Sequence, residues 1–146
     1  KIIIGADTVV SLNDKFYGKP KNSQESFKML RSLSGKSHEV ITGVSLILLN
    51  KNIDYTFNQK THVTIANMTN EEIFSYLKQY NPLDKAGSYG IQDGFSAFIE
   101  NINGCYFNVM GFPLSKFFQQ YKMIFKSLWK KINVGYFSFS HLILKM

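Results

Sequence analysis

The run IIIGADTVV at residues 2–10 is the stretch from which the fold follows, because it sets one carboxylate and one hydroxyl, Asp7 and Thr8, into an apolar segment. Such a run predicts a buried β-strand that delivers an acid to a cleft. A buried carboxylate costs free energy unless it is paired, hydrogen-bonded or bound to a metal, so Asp7 suggests a functional group. This segment alone equally fits an acid that turns the chain or caps a neighbouring element.

The composition describes one folded domain. A chain of 146 residues can bury a real core, and a hydrophobic fraction of 45%, with 13 Phe and 8 Tyr, argues against intrinsic disorder. No apolar run approaches the roughly 20 residues that cross a bilayer, and the first residues carry no secretory signal. Cys105 is the only cysteine, which excludes an internal disulfide and favours a reducing compartment. We therefore expect a soluble, cytoplasmic protein.

The net charge of +7 suggests an anionic partner, yet Arg31 is the only arginine among 17 Lys and Arg residues. Arginine is the usual bidentate reader of phosphate and guanine, so its scarcity argues against a nucleic-acid partner. Scattered lysines are more typical of a solvated basic surface than of a binding groove. A small polyanion held by a few lysines stays open, and a lysine-rich RNA-binding module ranks last.

Three amphipathic segments predict helices. The first two open on capping-box patterns, in which a polar side chain caps the helix and a glutamate three residues later caps it in return. The third follows a proline that fits a first helical turn, and its apolar residues keep the helical period. The predicted helices start at Asn22 (with Glu25), Thr69 (with Glu72) and Pro113, and end near residues 34–35, 81–82 and 128.

Residues 39–49 and 55–65 are rich in β-branched and large apolar side chains and predict a hairpin. Strand character returns at residues 97–102, after a glycine-bearing loop at 84–94. Since helices alternate with hairpin and crossover strands, the sequence predicts α/β (or α+β) architecture, a mixed twisted sheet flanked by helices. No repeat or linker is visible, so we predict one domain over residues 1–131 and an irregular tail over 132–146.

Four short islands combine residue types that can handle a nucleoside triphosphate. Each alone is weak evidence. The islands are GADT (5–8), GKP (18–20), LSG with TG (33–35, 42–43) and DKAG with YGIQ (84–87, 89–92), and NV (108–109) and GFPL (111–114) follow them. Together and in this order they resemble the Maf family of nucleoside triphosphate pyrophosphatases, specifically its branch acting on dTTP and UTP, from about Ile2 to Leu114.

The resemblance implies a Maf/ITPase-like fold and hydrolysis of the bond between the α and β phosphates of dTTP, UTP or modified pyrimidine nucleotides. The products are the monophosphate and pyrophosphate, and a divalent cation, Mg²⁺ or Mn²⁺, assists. By resemblance Asp7 is the catalytic acid, while Thr8 and Gln92 stand where substrate choice is influenced. The Gln92 amide can match the O4 and N3–H edge of uracil or thymine. A homodimer is the assembly to expect.

The chemistry of these residues leaves their roles open. Asp7 can accept the proton of the attacking water or hold the metal that lowers the pKa of that water. Lys19 and Lys85 can clamp phosphate oxygens, where charge grows in the transition state. Asp84 can take a metal or orient Lys85. The alternatives are an ordinary turn lysine at position 19 and a surface ion pair at 84–85 that contributes less than about 1 kcal/mol.

A Ser-x-Ser-Pro-Arg-Arg segment is expected upstream of the first strand in this family, where it grips the triphosphate, and it does not occur in this sequence. Two hypotheses follow. The first is a pyrophosphatase that acts through Asp7 and a metal, in an N-terminally incomplete sequence. The alternative is a catalytically impaired nucleotide-binding or cell-division-associated Maf-like protein, which binds UTP or dTTP without releasing pyrophosphate.

Overall fold

A computed structural model of the chain describes residues 2–49 and 53–124, together with the backbone of residues 144–145. The strands are β1 (Ile2–Leu12), β2 (Lys15–Tyr17), β3 (Ser37–Leu48), β4 (Ile53–Ile65), β5 (Ile99–Asn103) and β6 (Leu144–Lys145). The helices are α1 (Ser23–Leu33), α2 (Asn70–Tyr80), α3 (Tyr106–Val109) and α4 (Leu114–Ile124). No helix in these described parts of the chain has the length and apolarity that a membrane span requires.

The sheet has five antiparallel strands in the order β2-β1-β3-β4-β5, and β6 pairs in parallel with β1. The predicted mixed sheet flanked by helices, and the predicted β3–β4 hairpin, are confirmed. The chain reaches β2 through a tight turn at Asn13 and Asp14, whose φ angles of 50° and 61° suit Asn and Asp. The short strand β2 therefore completes a hairpin that the sequence pattern did not predict.

The predicted N-caps are present, but only one of the two predicted capping boxes forms. Asn22 Oδ1 accepts the Glu25 N–H at 2.9 Å at the start of α1, whereas Glu25 Oε2 accepts the N–H of Lys21 instead of that of Asn22. Thr69 and Glu72 form the full reciprocal capping box of α2, at 3.2 Å and 2.7 Å. Asn81 ends α2 in the left-handed conformation with φ 44°, at the predicted boundary. The prediction that the last helix continues to residue 128 lies outside the described residues, as does the predicted tail except for β6.

The buried side chains of β1, β3 and β4 alternate along each strand, so they share one face of the sheet. Two apolar clusters cover this face, one under α1 and α2 and the other under α4. Between them, the same face carries three threonines rather than apolar residues: Thr8, Thr42 and Thr61. This polar belt of threonines lies beneath α3, and the cleft described below begins where the belt reaches β1.

Candidate active site

A cleft with a volume of about 760 Å³ opens beside the middle of β1. It is lined by residues of β1, of the loop after β2, of the loop after α2 and of the end of α3. All the site residues that the sequence predicts line this one cleft: Asp7, Thr8, Lys19, Asp84, Lys85 and Gln92. The fold thus brings together groups that lie as far apart in the sequence as residues 7 and 92.

The open edge of β1 explains how two successive residues, Asp7 and Thr8, both reach the cleft. Along this edge β1 pairs with β6 at Ile4 and Gly5, and with β2 from Val10 onward. Among the described residues no strand lies beside residues 6–9 on that edge, so both faces of the strand border the cleft there. An edge with unpaired backbone groups can hydrogen-bond a ligand.

Asp7 is exposed, which corrects the expectation of a carboxylate inside a buried strand. The reason is its position in register: Asp7 alternates with Thr8 and lies on the half-exposed face of β1. Its carboxylate makes no hydrogen bond and no ion pair with any residue in the described parts of the chain. The acid is therefore open to solvent and to a ligand.

The hydroxyl of Thr8 has a defined direction. Thr42 Oγ1 donates its only hydrogen to the backbone carbonyl of Asn108 at 3.0 Å. The 2.9 Å bond between the two threonine hydroxyls must therefore run from Thr8 to Thr42. Since Thr8 has no hydrogen left to donate, it can offer a ligand in the cleft only lone pairs.

Asn108 holds α3 onto the sheet. Its Nδ2 donates to the Val40 carbonyl at 3.0 Å and to Thr61 Oγ1 at 2.9 Å, and its side chain is fully buried. Thr61 also bonds both backbone groups of Cys105, the residue before α3. This network fixes the end of α3, where Val109, Met110 and Gly111 line the cleft. The sequence pattern assigned Asn108 no role beyond its place in the resemblance.

One backbone hydrogen bond brings the two lysine-bearing loops together. Gly87 N–H donates to the Gly18 carbonyl at 3.1 Å, which places Lys19 and Lys85 in the walls of the same cleft. Gly87 has φ +69°, and an added Cβ would lie 2.8 Å from Val10 Cγ2, so this approach requires glycine. The loop geometry thus gathers both lysines of the predicted phosphate clamp at one cleft, and their contact with phosphate stays a prediction.

Lys85 and Asp84 form an ion pair within the cleft wall, with Nζ–O distances of 3.0 Å and 3.1 Å. The hydrogen bond from Lys85 holds the pKa of the Asp84 carboxyl below its usual range, and the charge of Lys19 acts in the same direction. Asp84 is well exposed, so solvent screens the pair. The contact fits both an Asp84 that orients Lys85 and the alternative of a surface ion pair, so the role of Asp84 stays a prediction.

His38, on β3, bonds a residue of the cleft wall, and the sequence did not predict this contact. Its Nε2 lies 2.8 Å from the Tyr89 hydroxyl, and Tyr89 lines the cleft. Burial lowers the pKa of His38 to about 4, so the imidazole is neutral near pH 7. Burial also raises the pKa of the Tyr89 phenol, which keeps its proton. The pair is an uncharged hydrogen bond that holds the loop carrying Gln92 to β3.

The carboxylates of the cleft suit a cation that arrives with its substrate. In the described part of the chain no three His, Cys, Asp or Glu side chains cluster into a ready-made metal site. Of the three carboxylates that line the cleft, Asp84 is paired with Lys85 and Asp93 accepts two hydrogen bonds, whereas Asp7 has no described partner. Mg²⁺ usually binds one or two carboxylates together with substrate phosphates and water, so this donor set fits it.

Comparison with known proteins places the chain in a family. Residues 1–124 match the model of a family described as Maf-like protein. The chain is 46% identical over 121 residues to a dTTP/UTP pyrophosphatase of Bacillus cereus (strain B4264), which is 83% of this chain and 62% of that protein. It is 47% identical over 115 residues to a dTTP/UTP pyrophosphatase of Clostridium botulinum (strain Eklund 17B / Type B), or 79% of this chain and 61% of that protein.

The chain therefore spans less than two thirds of the length of these two relatives. The family match covers 124 of its 146 residues and includes every element that builds the cleft. This extent, together with the gathered acid, lysines and glutamine, shows that the chain belongs to the Maf-like protein family.

Proposed function

We propose that this chain carries the active site of a nucleoside triphosphate pyrophosphatase that hydrolyses dTTP and UTP, and modified pyrimidine nucleotides, to the monophosphate and pyrophosphate. The observation that carries the proposal is the convergence of Asp7, Lys19, Lys85 and Gln92 on one cleft. These groups supply an acid, two phosphate-binding cations and a base-recognising amide. The names of the two relatives, both dTTP/UTP pyrophosphatases, support this substrate class.

The reaction requires a water oxygen to attack the α-phosphorus while the bond to the β-phosphate oxygen breaks and pyrophosphate leaves with the bonding electron pair. Asp7, exposed and without a described partner, either accepts the proton of that water or holds the cation. A bound Mg²⁺ or Mn²⁺ would lower the pKa of the water and neutralise phosphate charge. Asp84 is the second carboxylate available to the cation.

Lys19 and Lys85 neutralise the phosphate oxygens on which negative charge accumulates during bond cleavage. Lys85 is held by Asp84, whereas Lys19 has no ion-pair partner among the described residues. Lys85 therefore meets the triphosphate already paired with Asp84, whereas Lys19 becomes paired when the triphosphate binds.

Gln92 and Thr8 provide the contacts for choosing the nucleotide. The Gln92 amide can donate to O4 and accept from N3–H of uracil or thymine. Thr8, whose hydrogen is committed to Thr42, can only accept from a donor on the nucleotide. A cytosine base presents the opposite pattern of donor and acceptor, so an amide placed for uracil is left without matching partners when CTP binds.

The direct test is incubation of the chain with UTP or dTTP and Mg²⁺ or Mn²⁺. We expect equal amounts of the nucleoside monophosphate and pyrophosphate, with no diphosphate or free phosphate as primary product. CTP and ATP under the same conditions are the controls for base choice. Saturable binding of UTP without any product would contradict the proposal and support the alternative, a catalytically impaired nucleotide-binding protein.

Lys19→Met tests the phosphate clamp. We expect kcat/KM for UTP to fall about 10- to 100-fold, because one cation facing the developing phosphate charge is removed. The matched control is Lys21→Met, which removes the same charge two residues away from a side chain that does not line the cleft. Equal losses in the two variants would show that only general surface charge matters.

We further propose that the chain works in the cytoplasm as a homodimer and not on nucleic acid. The single cysteine agrees with a reducing compartment, and the single arginine agrees with the absence of nucleic-acid binding. Phe107 on α3 and Leu114 on α4 expose 47% and 41% of their surface, which supplies an apolar area for a second copy.

A further inference from the structure

Gln92 lies in a four-residue turn, Gly90 to Asp93, whose two ends are tied to the same phenol. The Gly90 N–H donates to the Tyr76 hydroxyl at 3.1 Å. The Tyr76 hydroxyl in turn donates to Asp93 Oδ2 at 3.2 Å. Within the turn, the Asp93 N–H points to the Gly90 carbonyl at 3.5 Å. One hydroxyl therefore bridges the residues on both sides of the segment that carries Gln92.

Tyr76 is a fixed point from which to hold this turn. It belongs to α2, is only 4% exposed and does not line the cleft. Its ring packs at 5.0 Å from Phe95 and at 5.3 Å from Tyr80. Burial raises the pKa of the Tyr76 phenol, so the hydroxyl stays protonated and can always donate to Asp93. Its oxygen remains free to accept the Gly90 N–H.

The turn has little room to rearrange while these bonds persist. A Cβ added at Gly90 would lie 2.3 Å from Asp93 Oδ2 and 3.0 Å from Lys85 Cε. The Asp93 carboxylate and the stem of Lys85 therefore close directly over Gly90. Asp93 Oδ1 also accepts the Phe95 N–H at 2.9 Å, which fixes the orientation of the carboxylate. The position of the turn thus depends on the hydroxyl that Asp93 Oδ2 and Gly90 share.

We propose that Tyr76 is a positioning residue for base selection: through Gly90 and Asp93 it holds the backbone turn that carries Gln92, without touching the nucleotide. This inference rests on the proposed pyrimidine specificity of the cleft. The Gln92 side chain is exposed and has no hydrogen-bond partner among the described residues, so the place from which its amide meets a base is set by the turn. A fixed turn presents the amide in the pose that pairs with uracil, whereas a loosened turn also allows the pose that pairs with cytosine.

The test compares Tyr76→Phe with Tyr55→Phe, using the ratio of kcat/KM for UTP to that for CTP. Both variants remove one hydroxyl that makes a side-chain hydrogen bond, and neither tyrosine lines the cleft. The Tyr55 hydroxyl donates to Gln120 Oε1 on α4, away from the turn. We expect the ratio to fall about five- to tenfold in Tyr76→Phe, equivalent to the loss of one hydrogen bond, and to stay at the wild-type value in Tyr55→Phe.

Two results would overturn the inference: an unchanged ratio in Tyr76→Phe, or an equal fall in Tyr55→Phe. Asp93→Ala provides a second route if Tyr76→Phe folds poorly, because it removes the oxygen that accepts the Tyr76 hydroxyl hydrogen and leaves no group that could replace it. The same fall is expected. An unchanged ratio in a folded Asp93→Ala variant would also contradict the role of Tyr76.

The proposed function can fail independently of this inference. If the wild-type chain hydrolyses no nucleotide, the pyrophosphatase proposal fails, and the ratio is measured instead as relative affinity. Calorimetry with α,β-methylene UTP and α,β-methylene CTP then compares the wild type with the two tyrosine variants. A selectivity that only Tyr76→Phe loses supports the positioning role, and equal selectivity in all three chains overturns it.

Discussion

Asp7→Asn abolishes pyrophosphate release: we expect kcat for UTP to fall about 100- to 10,000-fold. An amide in this position can neither take the proton of water at neutral pH nor contribute a negative charge to a cation. Because the Asp7 side chain is exposed and makes no bond with a described residue, its replacement leaves the packing of β1 intact. The measurement is steady-state release of pyrophosphate, with the melting temperature recorded for the same sample.

Asp14→Asn is the matched control for this experiment. Asp14 is another exposed acid close to the end of β1, but it lies in the turn to β2 and outside the cleft. Its φ angle of 61° is one that asparagine adopts as readily as aspartate. We expect wild-type kcat in this variant. An Asp7→Asn chain within about threefold of wild-type kcat would exclude Asp7 from the chemical step.

The second large effect is a loss of stability in acid that originates at His38. Its pKa in the folded chain is lowered to about 4 from an ordinary value of 6.5, because the buried ring resists gaining a charge. The neutral form is favoured by folding, so the contribution is fully present above the ordinary pKa and is lost as the pH falls toward 4. The difference corresponds to roughly 3 kcal/mol in the free energy of unfolding.

Urea unfolding at about pH 7 and about pH 4 measures this contribution. Carboxylates titrate in the same interval, so the informative quantity is the difference between variants in their acid-induced loss. We expect His38→Gln to lose roughly 3 kcal/mol less than the wild type between these pH values. His62→Gln, in which an exposed histidine of β4 is changed, should lose as much as the wild type. A wild-type loss in His38→Gln would contradict the assignment.

Local sequence patterns predicted the helices and strands that are determined by interactions between residues close in the sequence. Thr69 and Glu72 cap α2 because the capping box is formed by residues three apart. The alternating apolar residues of β3 and β4 identify the hairpin for the same reason. Residues 97–98 were predicted as strand, but they continue the 3₁₀ turn Gly94–Phe98, which Asp93 caps through the Phe95 N–H. The three residues of β2 and the four of α3 are too short to show a period.

The same distinction separates the two groups of site residues. Asp7, Lys19 and Gln92 stand in short glycine-bearing motifs that are visible in the sequence but are weak evidence one by one, and the family resemblance supplied the reason to group them in one site. His38, Tyr76 and Asn108 act through contacts with residues far along the chain, such as Tyr89 for His38 and Val40 for Asn108. The sequence alone does not distinguish such a buried polar residue from an exposed one, because its hydrogen-bond partner is known only from the fold.

The hydrogen bond between Gly87 and Gly18 also has a thermodynamic consequence. The bond joins two residues that are far apart in the sequence. The conformational entropy of the chain between them is therefore lost when the protein folds, before a ligand binds. The spacing of the two backbone segments that carry Lys19 and Lys85 is therefore preorganised, and a polyphosphate that binds there has mainly side chains left to order. The unfolded chain lacks this binding site, so binding of the nucleotide stabilises the folded state and raises the melting temperature.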